Sequence, residues 1–166
     1  MLGINCKLFY QSGGTYAAPT WVEVDCVGDL QLSPVWDAAE VMTRASRVKM
    51  SEKTMMGIEV TTKMLARFSG STPYEYLRDA MLSDLRVDFL VINGVISGAS
   101  ANIGAWGFRF HGQVFQAVES QNPGDRVQDD IVIRPCVPAV AAEIPKYAEV
   151  TAGPALTFTT IGTAPI

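Results

Sequence analysis

The residues of this chain with the greatest capacity for chemistry are its single histidine and one serine–lysine pair. His111 is the sole histidine, and a histidine acting as a general base needs a second polar group within hydrogen-bond reach. Because it lies on the polar face of an alternating run, we expect a surface or interface residue. Ser46 and Lys49 have the Ser-x-x-Lys spacing of some acyl-transfer enzymes. That motif needs a helix start and companion motifs, and we interpret this match as chance.

Other candidate sites are equally weak. The glycine-rich stretch from Gly98 to Gly107 fits neither dinucleotide-binding nor P-loop spacing, and we expect a flexible loop there. Asp129 and Asp130 are adjacent on a predicted strand, so they point to opposite faces and cannot serve one acid–base site. The three cysteines lack a Cys-x-x-Cys pair and predict buried thiols, with no zinc site or disulfide framework: Cys6, Cys26 and Cys136. The sequence therefore predicts no catalytic residue, no metal, no cofactor and no enzymatic activity.

One basic cluster stands out within an otherwise polar stretch of the chain. It consists of Arg44, Arg47, Lys49 and Lys53. One interpretation is a solvated loop. The other is an arm that docks on an acidic patch of an adjacent subunit, for which the candidates are Glu119, Asp125, Asp129 and Asp130. The sequence leaves both interpretations open.

Composition indicates a protein whose surface meets other protein chains. Only 18% of the residues are charged, whereas 48% are hydrophobic, and soluble domains usually carry about 25% charged residues. The longest apolar runs are far shorter than the roughly 20 residues of a membrane-spanning helix, so we expect no membrane association. A net charge of −4 disfavours tight binding to a phosphate backbone. The amino terminus shows no basic and apolar leader pattern, so we expect synthesis in the cytoplasm.

Alternating apolar and polar residues predict most of the secondary structure as strands. The runs Ile4–Gln11 and Trp21–Val27 alternate on either side of a Gly/Pro loop and predict an antiparallel pair. Gly57–Leu65 and Trp106–Glu119 alternate as well, the latter with an interruption at Phe115. In the polar arm around Asp37–Lys53, Glu40–Arg44 can form another strand. Ala45–Met56 has no clear period and is expected to be an exposed loop or the tip of a long hairpin.

A single helix is predicted between the strands. Thr72 can cap its start, Pro73 fits the first helical position and Glu75 completes a capping box, which predicts a helix over Thr72–Asp84. The fold class is therefore mainly β: a β-barrel or sandwich of about seven strands with one short flanking α-helix and a long hairpin arm. Residues 1–136 form the predicted domain, and residues 137–166 an Ala/Pro/Thr-rich extension that wraps a neighbour or stays partly mobile.

Three consecutive segments of the amino-terminal half resemble a known family. Tyr10–Val24, Val27–Leu32 and Ala39–Arg44 follow one another as in the tail tube (major tail) proteins of tailed bacteriophages. The helix with Tyr74, Leu77 and Ala80, the strand ending at Asn93-Gly94 and the Trp106–Glu119 strand fit as well. The resemblance covers about residues 1–136, and its motifs are structural.

The resemblance implies a β-barrel flanked by a helix, closing into hexameric rings that stack into a hollow tube. DNA would leave the capsid through this tube without specific binding, the protein would reside in the virion tail, and other tail proteins would be its partners. A surrounding sheath stays open, because type VI secretion tubes and contractile injection systems use a similar fold. Capsid decoration proteins and tail terminators are alternative virion parts that form trimers or single rings. A ligand-binding barrel would need an apolar pocket with converging polar groups.

Overall fold

A computed structural model describes residues 6–25, 27–41, 50–65, 72–98, 100–120, 128–140, 143–152 and 155–161. Within these residues the chain is mainly β, with nine strands in one antiparallel sheet and one helix. The helix is α1 (Thr72–Leu82), between the fourth and fifth strands. The strands are β1 (Lys7–Gly14), β2 (Pro19–Glu23), β3 (Val27–Val41), β4 (Met50–Leu65), β5 (Val87–Ile92), β6 (Trp106–Ser120), β7 (Gln128–Pro135), β8 (Lys146–Thr151) and β9 (Ala155–Thr160).

The long central strand β6 divides the sheet into two parts. One edge of β6 pairs with β5 as far as Gly112. The other edge pairs first with β8, from Trp106 to Arg109, and then with β7, from Gly112 to Ser120. Subsheet I is therefore β2–β1–β5–β6–β8–β9, and subsheet II is β6–β7–β4–β3. The described sheet ends at β2, β3 and β9 without closing, so it is an open, sandwich-like sheet and not a closed barrel. The predicted mainly β fold class, a barrel or sandwich with one helix, is confirmed in its sandwich form.

The main core lies on one face of the curved sheet, where α1 covers it. Leu77 and Ala80 of α1 are almost completely buried, in agreement with the apolar stripe that the sequence predicts for this helix. The strand residues beneath are the apolar members of the alternating patterns: Leu8, Tyr10, Leu32, Val60, Phe89, Val91, Phe110 and Ile133. Burial of this set fixes the register of the strands, because a shift of one residue would expose all of it.

The helix begins where the sequence predicts and ends two residues earlier than predicted. Asp84 has a φ of 56°, and the Leu85 N–H donates to the Ala80 carbonyl at 3.1 Å. A left-handed residue followed by this hydrogen bond is a Schellman ending, which satisfies carbonyls in the last turn of the helix. The chain thereby turns directly into β5, all of which is buried, as its apolar composition predicts.

The structure has nine strands where the sequence predicts about seven, and both β8 and β9 lie in the region after residue 136. They form a hairpin that continues subsheet I from the edge of β6. Ala148 and Val150 are fully buried there, against Phe9, Leu90 and Ile92. Residues 146–160 thus extend the sheet of their own chain, because their apolar residues complete a second core.

Candidate functional site

The polar arm is a two-stranded ribbon made by the ends of β3 and β4. Its register runs from the pair Val35 and Gly57 to the pair Val41 and Met50. In this ribbon β3 and β4 pair only with each other, since β7 joins β4 from Val60 onward. The prediction of a long hairpin arm is therefore confirmed, and Met50–Met56, for which a loop or a hairpin tip was expected, belongs to a strand.

One of the four basic residues of the predicted docking cluster, Lys53, lies in this arm. Lys53 is a Cα partner of Ala38 in the ribbon. The other three lie outside the described residues: Arg44, Arg47 and Lys49. The Ser-x-x-Lys match at residues 46–49 lies there too.

The acidic residues considered as a docking patch do not share one surface. Asp129 is 7% exposed, and its Oδ2 accepts a hydrogen bond from the Tyr74 hydroxyl at 2.7 Å. Asp130 points to the opposite face, where it lies across from Lys63, as the strand alternation predicts. Glu119 is the register partner of Asp129, and Asp125 lies outside the described residues. The Tyr74 contact holds Asp129 to α1 and removes it from the accessible acidic surface.

Subsheet II carries a polar face opposite its apolar core. The residues on this face alternate along β3, β4 and β7: Asp29, Gln31, Ser33, Glu59, Thr61, Lys63, Asp130, Val132 and Arg134. Glu59 Oε2 accepts a hydrogen bond from Arg134 Nε at 2.7 Å. An open depression of about 790 Å³ lies at its Gly28 end. Asp29, Glu59 and Asp130 oppose Lys63 and Arg134, so this face has mixed charge with a small acidic excess.

A β-bulge changes the direction of side chains in the middle of β6. The register shifts between Val114 and Gln116, leaving Phe115 as the extra, exposed residue. The Arg134 guanidinium carbon lies 5.6 Å from the centre of the Phe115 ring. A bulge of this kind bends a strand and raises its local twist, and the interruption at Phe115 in the sequence pattern is its signal.

Two long backbone edges of subsheet II lack a strand partner among the described residues. Beyond Gly112, no strand pairs with β6 on the side that β5 occupies earlier. On the far side of subsheet II, β3 pairs with β4 alone. A strand edge without a neighbouring strand can template pairing with a strand of another chain.

A buried ionic junction, which sequence reasoning missed, lies under the β8–β9 hairpin. Arg109 is 1% exposed, and its guanidinium forms an ion pair with the Asp88 carboxylate, with Nη2 and Oδ2 2.6 Å apart. Its Nη2 also donates to the Tyr16 carbonyl at 2.8 Å. The guanidinium carbon lies 3.7 Å from the ring centre of Tyr16, 4.6 Å from Phe158 and 5.2 Å from Trp21. The residue thereby joins the β1–β2 loop, the central strands and the carboxy-terminal hairpin.

His111 lies at the margin of this junction. Its ring stacks on Tyr16 with centroids 5.6 Å apart, and its Nε2 lies 3.1 Å from Glu143 Oε2 without the direction of a hydrogen bond. The Tyr16 hydroxyl donates to the Ile144 carbonyl at 3.5 Å. Burial raises the pKa of Tyr16, and the Arg109 cation opposes that rise. These contacts hold the segment before β8 against the body of the protein.

The glycine-rich loop between β5 and β6 is organised by two asparagines. The Trp106 N–H donates to Asn93 Oδ1 at 2.7 Å, and the Val95 N–H donates to Asn102 Oδ1 at 2.8 Å. No group of three or more His, Cys, Asp or Glu side chains is arranged to hold a metal ion in the described parts of the chain. Those parts also contain no helix with the length and apolarity needed to cross a membrane.

Comparison with known proteins identifies the fold through structure alone. No family model matches the chain, and no curated protein matches its sequence. The tail of an empty gene transfer agent particle, refined with C6 helical symmetry, matches with a TM-score of 0.62 at 9% identity, over 95% of this chain and 97% of that one. The SPP1 tail tube matches with a TM-score of 0.57 at 11% identity, over 78% and 72%. The chain has the tail tube fold.

The tail tube fold also includes tubes of contractile systems. The sheath–tube complex of an extracellular contractile injection system, PVC, matches with a TM-score of 0.55 at 7% identity, over 82% of this chain and 88% of that one. The resemblance noted in the sequence is confirmed at the level of fold. Because the gene transfer agent match covers 95% of this chain, the tail tube fold here includes β8 and β9.

Proposed function

We propose that this protein is a structural subunit of a tail tube. Copies close into hexameric rings, and the rings stack into a hollow conduit through which DNA passes without specific binding. The observation that carries the proposal is subsheet II, in which, among the described strands, β6 beyond Gly112 has no strand neighbour on one side, and which has a polar face opposite its apolar core. A monomeric protein would normally cover or protect such edges.

Ring closure follows from joining the two edges. If β3 of one copy pairs with the free edge of β6 in the next, each copy contributes subsheet II to a continuous barrel, and no edge is left exposed. This contact uses two different surfaces, so it is heterologous, and it forms a ring when the rotation between copies closes. The C6 symmetry of the gene transfer agent tail supports six copies.

The polar face of subsheet II is suited to line the conduit. Its apolar opposite face is occupied by the core and α1, so the polar face is the one that a closed ring would direct inward. Binding to a phosphate backbone requires an excess of Lys and Arg. The three carboxylates and two cations of this face supply no such excess, and DNA would therefore slide past it.

The arm is proposed to connect one ring to the next. It projects beyond the part of β4 that pairs with β7 and contains Lys53. Arg44, Arg47 and Lys49 belong to the sequence segment that connects its two strands. A contact from the end of one ring onto another does not close on itself, and repeated contacts of that kind build a filament. Other tail proteins, with or without a sheath, would contact the ends and the outside of the tube.

We infer that the protein has no enzymatic role, is made in the host cytoplasm and resides in the virion tail. The structural nature of the matching tube proteins supports this inference. The second candidate function is the tube of a contractile injection system, which the PVC match favours. A capsid decoration protein or tail terminator would use the same kinds of edges in trimers or single rings.

Negative-stain electron microscopy of the purified protein at high concentration tests the proposal. Long hollow tubes with a regular axial repeat are expected. Trimers or isolated rings as the final state would instead indicate a decoration protein or terminator. Monomers that bind small molecules and never assemble, even with added tube ends as an initiator, would overturn the proposal.

A further inference from the structure

Two exposed apolar side chains interrupt the polar face of subsheet II, one on each of its outer strands. Val35 of β3 is 59% exposed, and Phe115 of β6 is 57% exposed. Val35 continues the alternation of Ser33 on this face, and its Cα partner in β4 is Gly57, which has no side chain to cover it. Phe115 lies on the same face, beside Arg134. Each residue therefore leaves apolar surface in a mainly polar face.

The register within one copy aligns the four strands of subsheet II. Val114 of β6 is the Cα partner of Ile133 in β7, which is the partner of Val60 in β4. Val60 is in turn the partner of Leu32 in β3. These four residues form one row at right angles to the strands. In a closed barrel the strands are tilted, so such a row returns displaced along the strands by a fixed shear. Six identical copies share this displacement equally.

The tilt of the strands sets the displacement that each copy contributes. Four strands at a spacing of about 4.8 Å span about 19 Å, and a tilt of about 35° displaces the row by about 13 Å, or about four residues. In one direction this displacement leads to Phe110, where β5 occupies the edge of β6. In the other direction it leads along β7 from Ile133 to Asp129, whose partner in β6 is Glu119. Leu32 of one copy is therefore placed beside Glu119 of the next.

A bulge in β3 supports the same register. In that register Trp36 of one copy lies beside Val114 of the next, two residues from Gly112, where β5 takes over the edge of β6. The register between β3 and β4 shifts between Trp36 and Ala38. Because a bulge bends its strand, β3 turns away into the arm at the point where β5 would block further pairing.

We propose that Val35 of one copy lies opposite the Phe115 bulge of the next, at the seam where β3 meets β6, and that the two side chains cover each other. The register that places Trp36 beside Val114 places Val35 beside the bulged pair of Phe115 and Gln116. Opposite side chains in antiparallel strands have Cβ atoms about 4.5–5.5 Å apart. The contact removes both apolar side chains from the polar face that lines the conduit. The inference rests on the proposed tube and specifies the register of its seam.

Disulfide cross-linking of assembled tubes tests this register. In a variant with Val35→Cys and Phe115→Cys, the two thiols of one copy cannot join, because three strand spacings, about 14 Å, separate β3 from β6 and a disulfide needs Cα atoms within about 7 Å. We expect oxidation of its tubes to link copies around the ring, giving a ladder up to hexamers on a non-reducing gel. The matched control combines Phe115→Cys with Ser33→Cys, the preceding residue of β3 on the same face, and should link weakly. The unsubstituted protein gives the background from the native cysteines.

Hydroxyl-radical labelling tests the burial of the ring in the unsubstituted protein, and it decides the question if the cysteine variants do not assemble. We expect the Phe115 ring to be oxidised severalfold more slowly in tubes than in unassembled copies, because Val35 of the next copy covers it. Ile103, which is 68% exposed in the loop before β6, lies outside the seam. It is the internal control, and its oxidation rate should change less.

The outcomes separate this inference from the proposed function. Tubes in which the Ser33 variant links as well as the Val35 variant would overturn the register and leave the tube proposal standing. An unchanged rate of Phe115 oxidation in tubes would overturn the contact in the same way. If the unsubstituted protein forms no tube, the proposed function and the inference fall together.

Discussion

Arg109 and Asp88 form an ion pair whose side chains are only 2% and 3% exposed, sealed between the central strands and the carboxy-terminal hairpin. Such a pair contributes little net stability, because removing both charges from water costs about as much as their attraction returns. Its contribution here is to hold segments of the chain in place relative to one another. One guanidinium simultaneously contacts the β1–β2 loop through Tyr16 and the hairpin through Phe158, so three distant segments of the chain meet at Arg109.

Removing one member of this pair should destabilise the fold strongly. Asp88→Asn leaves the Arg109 charge buried without a counter-charge, and we expect a loss of about 3–5 kcal/mol in the free energy of unfolding. Urea denaturation of the unassembled protein measures it. The exposed pair of Lys7 and Glu23 is the control, since Glu23→Gln should cost no more than about 1 kcal/mol. Equal effects of the two substitutions would contradict the role assigned to the buried pair.

The sequence predicted the fold where local pattern and packing agree. Val87–Ile92 was expected to be buried on both faces, and the helix was expected to start at Thr72; both predictions are confirmed. The arm could likewise be predicted from the sequence, because the polar stretch around Asp37–Lys53 separates two alternating runs. These features depend on residues close together in the chain.

The sequence indicated a further strand at Leu156–Ile161, close to β9, but not the hairpin that this strand forms with β8 or the junction beneath it. Arg109 alternates with apolar residues, so it was assigned to a polar face, yet that face is covered by residues more than thirty positions later, from Glu143 to Phe158. Asp88 compensates its charge from the neighbouring strand. Burial by residues distant in the chain does not change the alternation of apolar and polar residues in the strand itself. Arg109, a polar residue at a buried position, therefore had the sequence pattern of a surface residue.

Gly107 should be intolerant of any side chain. A Cβ built on it would lie 1.8 Å from the Val91 carbonyl oxygen, a contact with backbone that cannot give way. We expect Gly107→Ala to cost about 3 kcal/mol or more, as overpacking does in a rigid core. Thermal unfolding followed by circular dichroism measures the loss. Gly13→Ala is the matched control, because no atom lies within 4 Å of its Cβ position, and its melting temperature should be nearly unchanged.

The hydroxyl of Tyr74 should matter more than that of Tyr76 on the same helix. Tyr74→Phe removes the donor to Asp129 Oδ2 and leaves a buried carboxylate without this hydrogen bond, at a cost of about 1–3 kcal/mol. The Tyr76 ring stacks on Tyr10 with centroids 4.5 Å apart, so Tyr76→Phe keeps its packing. Denaturant midpoints of the two variants compare them directly. A smaller loss for Tyr74→Phe than for Tyr76→Phe would show that the Asp129 contact does not hold α1.

Reversing the charge of the basic cluster should distinguish its two interpretations, an arm that docks on an adjacent subunit and a loop that is only solvated. We expect a variant with Arg44, Arg47, Lys49 and Lys53 all changed to Glu to fold with an unchanged melting temperature and to assemble poorly, because none of the four is among the described core residues and the proposed contact needs their positive charge. Sedimentation at several protein concentrations measures the assembly. Reversal of the exposed Arg78 and Arg86, near the end of α1, is the control for a general effect of charge.

The salt dependence of assembly is the second part of the same test. Exposed charges are screened over about 10 Å at 0.1 M ionic strength and about 3 Å at 1 M, so docking through the basic cluster requires unsubstituted tubes to form less readily as salt rises. The charge-reversed variant should lose that salt dependence. If the variant assembles normally, and both proteins respond equally to salt, the cluster is a solvated loop tip and the contact between rings depends on backbone pairing and apolar burial alone.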